Sequence, residues 1–519
     1  MAASSRPPRT RNSSVRHLAA PARAPQARSR QSERPEASRG ARAASVPAAR
    51  SGSGLARMGE ASPRPSSARP AVAEGPEVRG PLPGPKAKAL LERDKKVMSP
   101  YNRPFYYPAV VESAKGCLVT DIDGNRFIDF NSGLGVMNVG HGHPKVLAAV
   151  KAQLDRLQHY SYTDFNYRYA VDLAEKLNEI TPGKFPKKVF LGGSGAESIE
   201  AALKLTRWHT RKPYFIGFLG AFHGRTMGAL SLTASSPVQK QRFFPTMPGV
   251  VHVPFGNCYH CPFHLEYPSC DLWCVDYIEK EVLNRAVPAD EVAALFVEPI
   301  QGEGGYIVPP PEYHQRLKAL CDRHGILYVA DEVQSGMGRT GRWFAIEHWG
   351  VVPDAVCMSK AIASGVSLGA VVGRADLFDW DAGSHCTTLG GNPVACEASL
   401  ATMSVIEEEN LLDNARAQGE HILKRLRAEQ PKMRSVGDVR GKGLMCGIEI
   451  VKDRATREPD GKAAKRIITR AWKKGLLAIT AGDSTVRIAP PLTITRDLVD
   501  RALDILLESI DEEEKGRSL

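Results

Sequence analysis

The sequence predicts an α/β protein with a mostly parallel sheet and a second, smaller α/β domain. Three observations lead there. Short apolar runs at residues 188–191, 214–218, 293–297, 326–330 and 355–358 are each followed by a helix-like segment, and residues 371–372 add one more strand. Strands alternating with helices imply right-handed crossovers, which make the sheet mostly parallel and buried. From about Val394 the pattern changes to long polar helices such as 411–427, followed by strand-like pieces at 443–449 and 485–488. We see no internal repeat.

Composition narrows the class further. A chain of 519 residues corresponds to two large domains or three ordinary ones. With 42% hydrophobic and 24% charged residues it is globular, and no apolar run of about 18 residues argues for a membrane span. Ten cysteines in this length are too sparse for a small disulfide-stapled scaffold.

The charge is uneven. Residues 1–80 hold 15 Arg, no Lys and 5 Glu, a net of 15 − 5 = +10 out of the chain's +12, so the body carries only +2. No Phe, Trp, Tyr, Ile or Cys precedes Tyr101. Such a segment buries too little apolar surface to offset its ordering entropy and is expected to be a disordered basic tail. The basic balance therefore belongs to the tail and gives no nucleic-acid module or folded basic face. Two readings of the tail stay open. One is a bland extension; the other is a mitochondrial transit peptide, which the Arg/Ser content fits and the Pro content and missing amphipathic helix oppose. No apolar secretory region is present, Met58 and Met98 are alternative starts, and a cytoplasmic location is expected unless the tail is a transit peptide.

Along the body, order is expected from about Pro81. Residues 117–130 read as a hairpin turning at Asp123-Gly124. After the Gly140-His141-Gly142-His143-Pro144 loop, residues 146–157 have helical apolar spacing. The chemistry then falls where apolar runs end. Leu191-Gly192-Gly193-Ser194-Gly195-Ala196-Glu197 joins a strand to a helix that Ser194 can cap, and its glycines let a phosphate approach free N–H groups. It matches neither a P-loop nor a dinucleotide fingerprint. Asp331 directly follows a buried strand, where a carboxylate is either a helix cap or the partner of a cationic ring nitrogen or a metal. Lys360 follows another strand and is either a solvated loop lysine or a Schiff-base nucleophile. A phosphate cradle, a carboxylate for a pyridinium nitrogen and a Schiff-base lysine are together what pyridoxal 5'-phosphate requires. All three sit at strand ends, where open α/β sheets bind ligands.

The body resembles the class III, ornithine/4-aminobutyrate-type aminotransferases. The resemblance runs from about Pro108 to about Leu507 and rests on FHGRT (222–226), EPIQGEGG (298–305), ADEVQSGMGRTGRWFA (330–345), the Lys360 segment and TLGGNP (388–393). It implies the type I pyridoxal-phosphate fold. That fold would divide into an N-terminal part of the small domain over 81–145, a large cofactor-binding domain over 146–393 and a C-terminal small domain over 394–519. It implies Lys360 as the Schiff-base lysine and proton carrier, and Asp331 as the partner of the ring nitrogen. Gln334 would meet the phenolic oxygen, Phe222 would stack on the ring, and Ser194, Gly195 and Ala196 would form the phosphate loop. Thr388 would reach the phosphate of a neighbouring subunit, hence a homodimer with shared active sites. Arg225 resembles the arginine that takes a substrate carboxylate, and Glu303 with Arg487 the family's switchable pair. A guanidinium fork suits a carboxylate better than an ammonium does.

The sequence departs from the family pattern in three places. Ser367 stands where proline is frequent, and Ala196 where relatives often carry a hydroxyl. Leu134 stands where ornithine-specific members carry a tyrosine that reads the α-amino group, which points toward a plain chain such as 4-aminobutyrate. The expected function is amino transfer from an ω-amino acid to 2-oxoglutarate, with an amino-acid racemase on the same scaffold as the alternative. A non-catalytic cofactor-binding role is disfavoured, because the lysine, the aspartate and both arginines are present.

Cys258, Cys261, Cys270 and Cys274 are spaced C-x2-C-x8-C-x3-C, with His260 and His264 between them. Zinc, an iron–sulfur cluster, disulfides or free thiols all suit four thiols so close. The spacing is not that of a standard finger, and no metal site is expected. His141 and His143 are expected to be structural turn residues.

Overall fold

The computed structural model describes residues 75–99 and 106–516. Most of the expected basic tail lies outside the described residues. Its last part does not: Glu77 exchanges two backbone hydrogen bonds with Arg126, so the fold begins before Pro81.

Strands β1 (Val111–Lys115), β2 (Leu118–Asp121) and β3 (Arg126–Asp129) form an antiparallel meander that contains the expected hairpin. The central sheet follows: β4 (Lys187–Gly192), β5 (Tyr214–Phe218), β6 (Val250–Val253), β7 (Val292–Val297), β8 (Leu327–Asp331), β9 (Ala355–Met358) and β10 (Gly369–Arg374). Its order is β4-β10-β9-β8-β7-β5-β6. Every pair is parallel except those of β10, which runs antiparallel to both β4 and β9. The sheet is therefore mostly parallel, as the alternating runs predict. The strands β7, β8 and β9 are buried at every position, which is why they read as unbroken apolar runs. The strand β6 (Val-Val-His-Val) has no such signature in the sequence.

The C-terminal part contributes β11 (Val436–Lys442), β12 (Met445–Ile450), β13 (Leu476–Leu477), β14 (Ile479–Ala481) and β15 (Thr485–Ile488). Four of these form an antiparallel sheet in the order β11-β12-β15-β14. The remaining strand, β13, pairs in parallel with β3, so the last third of the chain completes the sheet begun by the first. Arg339, 1% exposed, ties the same regions together by donating to Ser132 Oγ at 3.2 Å, to Asn138 Oδ1 and to the carbonyl of Leu444 at 3.1 Å. Among the described residues no helix is long and apolar enough to cross a membrane.

Because β4 and β9 both run against β10, and β5, β7 and β8 run with β9, their carboxyl ends share one edge of the sheet. The loops that line the cavity described below leave from that edge.

Candidate active site

The turn after β4 leads into the helix Gly195–Thr210. Ser194 Oγ accepts the Glu197 N–H at 3.2 Å, and the Glu197 carboxylate reaches back to the Gly193 N–H at 2.6 Å. This reciprocal cap satisfies one helix amide and leaves those of Gly195 and Ala196 at the head of the helix, where the dipole favours an anion. The Ser194 hydroxyl is thus engaged as a cap. A Cβ on Gly195 would come within 3.0 Å of Val333, and one on Gly224 within 2.8 Å of Ala196, so side chains are kept out of the cradle.

The strand β8 delivers Asp331, 3% exposed. Its Oδ1 accepts the Val333 N–H at 2.9 Å, and its Oδ2 lies 2.6 Å from His223 Nδ1. His223 is itself 3% exposed, and its backbone N–H donates to Thr233 Oγ1 at 2.9 Å. Burial alone would lower the His223 imidazole, but the hydrogen bond and charge of Asp331 raise it above the ordinary histidine range. Glu298, just past β7, accepts the N–H groups of Phe222 at 2.9 Å and Gly302 at 2.8 Å. Burial pushes its carboxyl up, to about 7, against the pull of His223.

After β9, Ser359 Oγ donates to the Leu368 carbonyl at 2.7 Å, and Lys360 follows with φ +45°. A lysine in the left-handed region is strained, and such strain concentrates where a side chain must be aimed. Burial lowers the Lys360 ammonium and Arg487 adds to the shift, while Asp331 opposes it. The effect favours a neutral amine.

These loops enclose a cavity of about 300 Å³, at the small end of ligand sites. Of the residues singled out in the sequence, Gly195, Ala196, Phe222, Arg225, Glu303, Asp331, Gln334 and Lys360 line it. Two buried polar atoms there, Gln334 Oε1 and His223 Nε2, have no protein partner. Arg225 is exposed and lies over the Phe222 ring at 5.7 Å. Arg487 on β15 does not line the cavity itself, but its Nη1 lies 3.5 Å from Oε2 of Glu303, which does. The arginine side chain is 8% exposed and the glutamate 38%, so the glutamate is the partner with room to move. Ser194, Leu134 and Thr388 do not line the cavity. Leu134 is 54% exposed, in a left-handed turn one residue before Gly135, which packs beside Gln334; Thr388 is exposed on a separate loop.

His223 and Glu298 lie in motifs quoted above, but the sequence assigns them no role. Their partners are 108 and 76 residues away, and no local pattern announces them. Cys258, Cys261, Cys270 and Cys274 are free thiols bordering one small cavity of about 20 Å³ that shares no lining residue with the cavity of Lys360. Among the described residues no group of three or more His, Cys, Asp or Glu is arranged to hold a metal ion. His141, bridged to Gly116, pairs with Asp129 at 2.7 Å, and His143, which caps the helix Pro144–Arg156, pairs with Glu409 at 2.9 Å.

The sequence profile of the class-III aminotransferases matches residues 98–510. An alanine/serine racemase of Pyrococcus horikoshii is 41% identical over 450 residues, covering 86% of this chain and 94% of the relative. A 4-aminobutyrate aminotransferase of Escherichia coli is 40% identical over 429 residues, covering 82% and 98%. Among solved structures, an ornithine aminotransferase from Toxoplasma gondii superposes with a TM-score of 0.73 at 30% identity, over 83% of this chain and 96% of the other.

Proposed function

The chain belongs to the class III aminotransferases, a pyridoxal-phosphate-dependent family of enzymes, and from that premise we propose that it moves an amino group from an ω-amino acid such as 4-aminobutyrate to 2-oxoglutarate. The observation that carries this reading is the pairing of Arg487 with Glu303, which lines the cavity. An enzyme with one kind of substrate needs no movable acid on its carboxylate-binding arginine. An enzyme that alternates between a donor without an α-carboxylate and an acceptor with one does need it.

The residues fit the cofactor. The uncapped amides of Gly195 and Ala196 suit its phosphate, Asp331 its ring nitrogen, and the Gln334 side-chain amide, donating through Nε2, its phenolic oxygen. Phe222 would cover one ring face, and Lys360 would hold the cofactor covalently. When bound, pyridoxal phosphate supplies an electron sink for negative charge developing at the substrate carbon.

The protein's own groups do the rest. Lys360, whose ammonium is destabilised by burial, would take and return the substrate proton. His223 keeps the Asp331 carboxylate aimed at the ring site. Arg225 binds the distal carboxylate. Glu303 neutralises Arg487 while the donor is bound and swings into solvent when an α-carboxylate arrives. Thr388, exposed away from its own chain's cavity, suits a second copy of the chain and supports a dimer with shared sites.

A racemase is the second reading, favoured by the 41% identity to the Pyrococcus racemase. There Lys360 and an opposing acid or water would exchange the Cα proton without an acceptor. The test incubates the enzyme and cofactor with L-amino and ω-amino acids, with and without 2-oxoglutarate, and follows glutamate and D-isomers by chiral chromatography. Glutamate formed only with the oxo acid supports the transaminase. D-amino acid formed without it makes the protein a racemase. Turnover retained in Lys360→Ala contradicts both.

A further inference from the structure

Glu303 belongs to no helix or strand. Its loop is closed at the base by the backbone bridge between Gln301 and Ile307 and turns through Gly305 and Tyr306, both at positive φ. A loop of this kind does not fix a carboxylate by itself. Two residues from the C-terminal part, Gly482 and Arg440, do. The Gly482 N–H donates to the Glu303 carbonyl at 2.7 Å. The Arg440 guanidinium, from β11, donates to the Tyr306 carbonyl at 3.1 Å and to the Gly305 carbonyl at 2.6 Å.

Arg440 is in turn anchored. Its Nη2 lies 2.5 Å from Glu449 Oε2 on the neighbouring strand β12, and its Nη1 lies 2.9 Å from Asp438. Glu449 is 3% exposed and also accepts from Ser484 at 2.7 Å and Thr485 at 2.8 Å, with His260 at 3.4 Å. Thr485 Oγ1 accepts from Arg440 at 2.9 Å. Thr485 and Arg487 are two residues apart on β15 and so face the same side. On the facing strand Gly447 leaves room: a Cβ there would come within 2.9 Å of Thr485 and 3.2 Å of Tyr306. One guanidinium therefore grips the loop that carries Glu303 and the strand that carries Arg487.

We propose that Arg440, held by Glu449 and Thr485, is the positioning residue that sets the Glu303 loop against Arg487, so that the enzyme changes substrate class by turning the Glu303 side chain alone. The proposal rests on the transaminase reading of that pair. With the backbone pinned, both states of the acid are reached through side-chain rotation, and Arg487 is masked reliably whenever the substrate lacks an α-carboxylate.

The test compares the two half-reactions in the holoenzyme. Arg440→Met is expected to raise KM for 4-aminobutyrate about tenfold, the weight of one charged hydrogen bond, while KM for 2-oxoglutarate stays within about twofold. Glu303→Gln is expected to give the same split, and the double variant to add nothing beyond the larger single effect, because both act through one contact. Hydrogen exchange at the amides of 302–306 is expected to quicken in Arg440→Met and not in Glu303→Gln. If Glu303→Gln splits the two KM values and Arg440→Met moves both together or neither, the bracing role is wrong and the switch stands. If Glu303→Gln itself gives no split, the switch is wrong and the brace falls with it. Should Arg440→Met lose its cofactor absorbance, Thr485→Val, which removes both hydroxyl bonds without changing shape, decides by the same criteria.

Discussion

Replacing His223 with phenylalanine isolates the contact that aims Asp331. The two rings are similar in size, so the change leaves little cavity and removes chiefly the 2.6 Å bond to Asp331 Oδ2. Hydrogen bonds between charged groups contribute about 1.5–3 kcal/mol, and stripping one partner from a buried pair costs about 3–5 kcal/mol. Asp331 keeps the Val333 N–H at 2.9 Å, which retains part of its stabilisation. The expected loss is therefore about 3 kcal/mol, the lower end of that range. It should depend on pH. The folded-state pKa of His223 is raised above its ordinary 6.5, so the extra stability of its charged form is fully present below that value. The extra stability is lost as pH rises through the folded pKa. Glu298 and Asp331 are the carboxylates facing the ring, and both favour its charged form. Urea midpoints of wild type and His223→Phe at about pH 6 and about pH 9 measure this, with the difference larger at the lower pH. If the misaimed carboxylate also slows the chemistry, kcat falls by up to about a hundredfold, since each 1.36 kcal/mol is tenfold. A pH-independent difference, or one under about 0.5 kcal/mol, would refute the argument that the pair is buried, charged and matched.

Three further outcomes are expected. Glu332 is buried with its carboxyl pushed up to about 7, accepting from Ser335 Oγ at 2.5 Å and the Ile346 N–H at 2.7 Å. The folded state binds this proton more tightly, so the stability it contributes is present below pH 4.5 and lost as pH rises to about 7. The size is about 3 kcal/mol, and Glu332→Gln should flatten that slope in a pH series of unfolding midpoints. Ser194→Ala removes the 3.2 Å cap on the helix Gly195–Thr210. It is expected to cost about 1 kcal/mol, visible as a small drop in Tm of the cofactor-free protein. Leu134→Tyr should raise kcat/KM for ornithine relative to 4-aminobutyrate; an unchanged ratio removes Leu134 from the specificity argument.

Much of the fold was legible because burial leaves a simple trace. The strands β7, β8 and β9 have both faces covered, so their apolar runs are continuous and their ends are easily read. Other features left no such trace. The strand β11 is a mostly half-buried polar stretch, and β6 is four residues containing a histidine. The reversed direction of β10 is set by its neighbours β4 and β9, since an apolar run reads alike in either direction.

The candidate site divides the same way. Lys360, Asp331 and the Ser194–Ala196 turn could be found from the sequence, because each lies at or just past the end of a strand and those strands bring their carboxyl ends to one edge. Local order alone determined that much. Tertiary structure decided which groups control them. His223 reaches Asp331 across 108 residues, and Arg440 reaches the Glu303 loop across 135. Each is an ordinary polar residue in its own segment. It becomes a partner only when the sheets close around it, remove water and leave one geometry in which a buried charge is satisfied.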